Sequence, residues 1–143
     1  MIVYLESSAA LAWLIGEASQ QAVVLELQRS ERVVTSALTA VECARALVRA
    51  RALKRITATE EIVARHLLAE AESSWDVHDL SEEILARARK GFPTEPVRSL
   101  DALHLATIDR FREVLGTLSV ISLDERVRAN SRAAGLEVLP IEA

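Results

Sequence analysis

The chain has 143 residues, half of them hydrophobic and 27% charged, with a formal net charge of −4. That balance excludes a disordered chain and leaves room for one hydrophobic core. The acidity excludes indiscriminate nucleic-acid binding, so any such binding must run through a local basic patch. Aromatics make up only 3%, so the core must be aliphatic. Cys43, the single cysteine, excludes an internal disulfide framework and fits a reducing compartment. The first apolar run ends at Glu6 with no basic stretch before it, and no run reaches the roughly 20 apolar residues of a membrane span. The expectation is a single soluble, cytoplasmic domain over 1–143 with no membrane association.

Met1 to Leu5 is apolar and β-branched and reads as a strand. Ser7 and Ser8 are placed to cap a helix through AALAWLIGE, with Gly16 near its end. A second helical stretch, Ser19 to Arg29, leads to a strand over Arg32 to Thr35, and Ser36 or Thr39 opens the next helix. Thr57 with Glu60 matches a capping box ahead of a helix to about Ser73. Trp75 to His78 reads as a short strand, and Ser81 starts a helix that closes near Lys90. GFPTEPVR is the clearest loop. Helical spacing returns from Ser99 to Phe111, followed by a strand over Leu118 to Ile121 and a helix from Asp124 to Ala134. Gly135 reads as its C-cap and Glu137 to Leu139 as the last strand. Short strands alternating with helices predict an α/β domain: about five short strands in a mostly parallel sheet, with helices on both faces.

Four acids interrupt apolar stretches at strand ends or helix starts: Glu6, Glu42, Asp101 and Asp124. In open parallel sheets the loops beyond the carboxyl ends of the strands collect ligands, and chain geometry allows all four acids to meet there. Clustered carboxylates repel unless a cation joins them. Hard oxygen ligands in a partly open cluster suit Mg²⁺ or Mn²⁺, which activate water and orient a phosphodiester. Ordinary structural roles compete. Asp101 and Asp124 suit a helix dipole, Asp124 is also a good N-cap, and Glu42 fits a solvated stripe. The three histidines are scattered, which excludes a zinc site, and there is no Gly-rich phosphate loop.

Taken together, MIVYLESSAA, TAVECARAL, SLDALHLAT and VISLDERVRANSRAAGLEVL resemble the PIN domain, and within it the VapC-type toxins of bacterial toxin–antitoxin pairs. The resemblance covers almost the whole chain. It implies a Mg²⁺-dependent endoribonuclease with Glu6, Glu42, Asp101 and Asp124 as catalytic and metal-binding residues. An RNA substrate, a cognate antitoxin protein and a homodimer, or a larger toxin–antitoxin assembly, are implied with it. Glu6 stands where the family usually has Asp, and its extra methylene displaces the carboxylate by roughly 1–1.5 Å. Two alternatives stay open: a PIN-fold binding protein weakened as a catalyst by Glu6, and a metal-dependent phosphohydrolase acting on a small ester.

Ser8 matches the family's small polar residue and can support the metal site by hydrogen-bonding Glu6; Ser7 reads as a helix starter. Arg45 and Arg49 share a helix face and are RNA-binding candidates, against the alternative of a solvated face. His104 lies one turn from Asp101 and reads as a buried structural residue. Cys43 reads as core. The apolar faces of the second to fourth helices exceed what the sheet covers, which predicts a partner surface.

Overall fold

A computed structural model describes residues 1–142. The chain alternates β1 (Ile2–Leu5), α1 (Ser7–Ile15), α2 (Gln20–Arg29), β2 (Arg32–Ser36), α3 (Ala37–Ala52), α4 (Ala58–Ser74), β3 (Asp76–His78), α5 (Glu82–Ala88), α6 (Ser99–Leu115), β4 (Ser119–Ile121), α7 (Glu125–Ala133) and β5 (Glu137–Leu139). Every strand pair is parallel, in the order β3-β2-β1-β4-β5. β1 is therefore central. The strand order reverses on either side of it, so the crevice for a ligand lies where β1 and β4 end.

The β1 pleat divides the core. Val3 and Leu5 pack with Ala9, Ala12, Val23, Cys43, Leu47 and Leu68 beneath α1–α4. Tyr4 points the other way, toward Leu105, Ile108, Phe111, Val120 and Val127 beneath α6 and α7. Each fully buried aliphatic side chain contributes about 1.5–3 kcal/mol, so the two layers hold the sheet between them. Trp13 and Trp75 pack against each other with ring centroids 5.7 Å apart.

Local signals explain most boundaries. Gly16 adopts φ 75° as the C-cap of α1, a conformation that penalises a Cβ. Thr57 and Glu60 form the full capping box of α4, while Ser36 and Ser81 cap α3 and α5. Three expectations need correcting. Helix α6 continues past Phe111 to Leu115, ending before Gly116 at φ 85°. The C-cap of α7 is Ala134, with Gly135 one residue beyond. Ser7 and Ser8 do not cap α1: Glu6 holds that position without a side-chain cap bond, and both hydroxyls turn elsewhere.

Candidate active site

The end of β1 delivers Glu6 into the crevice. Its backbone N–H donates to Ile121 O at 3.0 Å, locking it beside the end of β4. The side chain is buried, and Oε2 accepts hydrogen bonds from the hydroxyls of Ser8 and Ser122, the latter at 2.7 Å. Burial pushes the Glu6 carboxyl above its usual range, although His104 and the serine hydroxyls pull the other way. Ser8 thus makes the hydrogen bond to Glu6 that the sequence suggested, and its hydroxyl also accepts from Leu123 N–H at 2.9 Å.

Glu42 is held by a second set of contacts. Its Oε1 accepts from Ser7 Oγ at 2.7 Å and pairs with His104 Nε2 at 2.8 Å. On its far side the imidazole meets the Tyr4 hydroxyl, 2.8 Å from Nδ1. Tyr4 is fully buried, and burial, followed by the Glu6 and Glu42 charges, drives its phenol well above the ordinary value. A phenol kept protonated must place its hydrogen, and Nδ1 is its acceptor. That selects the Nε2–H tautomer, which donates to Glu42. Burial works to raise the Glu42 carboxyl, but the His104 and Ser7 hydrogen bonds outweigh it and hold the group below its usual range. His104 is buried and hydrogen-bonded as expected, yet it also orients a candidate catalytic acid. Ser7, read from sequence as a helix starter, does the same.

Asp101 sits in the first turn of α6. Its Oδ2 is buried without a hydrogen-bond partner. Burial raises its carboxyl and the Asp124 charge raises it further, while Arg98, Arg126 and His104 oppose this. Asp124 is the N-cap of α7, its Oδ1 accepting from Arg126 N–H at 2.9 Å and Val127 N–H at 3.0 Å. Asp124 therefore caps a helix while its charge also reaches Asp101.

The four acids do not close into one cage. Among the described residues no group of three or more His, Cys, Asp or Glu is placed to hold a metal ion. Glu6 and Glu42 are each satisfied by protein donors, which draws them toward serine and histidine partners. Asp101 differs: an unpartnered buried oxygen beside a second carboxylate is what a divalent cation would satisfy. Arg45 and Arg49 are exposed on α3 and enter no ion pair among the described residues. Arg98 and Arg126 are the cations that act on Asp101. Sequence reading passed over both, although Arg98 lies three residues before Asp101 and Arg126 two after Asp124. Cys43 is buried, and burial pushes its thiol up to about 12, which excludes a thiolate nucleophile.

The PIN domain family model matches residues 3–133. The chain belongs to the PIN domain family. Ribonuclease VapC35 of Mycobacterium tuberculosis is 29% identical to this PIN domain over 140 residues, covering 96% of each chain. Among solved structures, Mycobacterium tuberculosis VapC20, a sarcin-ricin loop cleaving toxin, superposes with a TM-score of 0.64 at 16% identity, covering 89% of this chain and 93% of its own. FitAB bound to a DNA fragment gives 0.65 at 17% identity, covering 97% and 94%. A Klebsiella pneumoniae toxin–antitoxin complex gives 0.60 at 18% identity, covering 89% and 90%. At those identities the three structures establish that the fold is shared. They match the expected parallel α/β architecture.

Proposed function

We propose that this PIN domain is an endoribonuclease of the VapC toxin type, hydrolysing RNA phosphodiester bonds with the help of Mg²⁺ or Mn²⁺. The supporting observation is the buried, unpartnered Oδ2 of Asp101 beside Asp124 at the carboxyl edge of the sheet. Asp101 and Asp124 are the acids that would hold the ion first, with Glu6 and Glu42 completing the set. The ion, when bound, supplies an activated water and neutralises charge on the leaving oxygen. The chain's own residues orient the site. His104 and Ser7 keep Glu42 ionised and aimed, Ser8 and Ser122 hold Glu6, and Arg98 and Arg126 place positive charge where a phosphate would enter.

The ribonuclease relative and the Klebsiella pneumoniae toxin–antitoxin complex support the reaction and an antitoxin partner respectively. Val41, Ile62 and Val63 are exposed on α3 and α4, an apolar surface that suits a homodimer or that antitoxin. No described helix is long and apolar enough to cross a membrane.

Purified, antitoxin-free protein should cleave structured RNA in Mg²⁺, with cleavage lost in EDTA and in Asp101→Ala. Cleavage that survives in both would refute the reading. A second reading, a PIN-fold binding protein with weak catalysis, draws on the capture of Glu6 by two serines and on the open arrangement of the acids. RNA binding without cleavage would favour it.

A further inference from the structure

Arg128, on α7, is buried at 1% exposure, and among the described residues no buried acid pairs with it. Among the described residues the carboxylate that pairs with it is the largely exposed Glu125, 3.9 Å from Nε, and Nε has no hydrogen-bond partner there. The guanidinium instead spans four backbone carbonyls. Nη1 donates to Ser122 O at 2.7 Å and Leu139 O at 3.4 Å, and Nη2 to Pro140 O at 2.8 Å and Ile141 O at 3.3 Å. A cation is withdrawn from water at high cost unless such bonds are made. Only the rigid, multi-donor guanidinium plane can serve two chain segments at once.

Those two segments are the turn after β4 and the stretch leaving β5, also joined by Ser122 N–H donating to Leu139 O at 3.1 Å. The turn carries much of the site. Ser122 Oγ donates to Glu6 Oε2 and accepts from Asp124 N–H at 3.1 Å, while Leu123 N–H reaches Ser8 Oγ. Asp124 then caps α7, the helix that carries Arg128. The contacts form a closed loop from Arg128 through Ser122 to Glu6 and Asp124.

We propose that Arg128 is a positioning residue of the active site, pinning the 122–124 turn to the 139–141 stretch and so fixing where Glu6 and Asp124 stand. It touches no reacting atom and acts through Ser122. Only its activity readout rests on the ribonuclease reading.

Amide hydrogen exchange tests this without RNA. In Arg128→Lys, whose three donors on one nitrogen cannot satisfy all four carbonyls, the amides of Ser122, Leu123 and Asp124 should exchange about tenfold faster. Those inside α1 and α6 should keep wild-type protection. Arg128→Gln should give the same pattern, so one poorly folded variant does not decide the question. Cleavage should then show about a tenfold lower kcat at unchanged KM, and Ser122→Ala in the Lys background should cost less than in the wild type, because a loosened turn no longer holds the Ser122 hydroxyl firmly on Glu6. Unchanged exchange in the turn, or acceleration spread evenly over the chain, overturns the proposal. Local acceleration in the variants of a protein that cuts no RNA would sink the ribonuclease reading and leave the positioning role standing.

Discussion

Replacing Asp101 with Asn should make the metal-free protein more stable while removing its response to Mg²⁺. In the folded chain the carboxyl is raised above its usual range, first by burial and then by Asp124. A raised acid adds stability below its unfolded value of about 3.9 and loses it as pH rises through the folded value, so at pH 7 the ionised group is a net cost. A buried acceptor left without a partner costs about 1–3 kcal/mol, and solvent reaching the rest of this partly exposed group reduces that to roughly 1 kcal/mol. Asparagine removes the charge and offers Asp124 a donor. The gain corresponds to about 1–4 °C in Tm for a domain of this size. Mg²⁺ should reverse the order: at ten times its Kd it stabilises the wild type by about 1.4 kcal/mol and the variant by little. Thermal melts in EDTA and across a MgCl₂ series provide the assay, with RNA cleavage beside them. A lower Tm for Asp101→Asn in EDTA, or equal Mg²⁺ shifts for both proteins, would refute the account of Asp101 as a strained carboxylate awaiting a cation.

His104→Ala strands the Tyr4 hydroxyl and removes a donor from Glu42, a loss of about 3–5 kcal/mol once both buried groups are counted; urea unfolding at pH 7 measures it, and a loss under about 1 kcal/mol would contradict the network. Glu42, held low, adds stability that is complete above about 4.3 and disappears as pH falls through its folded value. Without His104 the carboxyl loses its main lowering partner, so this acid-dependent loss should shrink, visible in melts between about pH 3 and 6. Neutralising Arg98 and Arg126 should raise KM for RNA and reduce the salt slope of binding by about 2, and the Arg45 and Arg49 pair should be compared directly. An unchanged slope removes a pair from the RNA path. Glu6→Asp should preserve or raise cleavage; a large loss would show that the longer side chain is matched to Ser122.

The fold was legible because its signals are local. The β-branched first strand, the Thr57–Glu60 box, and Gly16 each act within a few residues. The acids were legible for a related reason, since charge inside apolar runs is conspicuous even without a structure. Their partners were not. Ser7 and Ser122 look like any small polar residue, and only the sheet brings them to Glu42 and Glu6, 35 and 116 positions away. Ser7 was misread for the same reason: a hydroxyl at a helix start suits a cap, and nothing local reveals a better acceptor across the crevice. His104 was read correctly as buried, but its link to Glu42 crosses 62 positions. Arg128 sits in a polar helix and carries no mark of burial in sequence.

β1 gives Val3 and Leu5 to one layer and Tyr4 to the other, then turns directly into Glu6. Losing or gaining one residue within this strand would swap the layers and carry the phenol away from His104. Additions ahead of Met1 leave that register unchanged and give up only the ion pair between the terminal ammonium and Glu31. Length variation in this short segment is therefore a stricter marker of a working site than the identity of most residues within it.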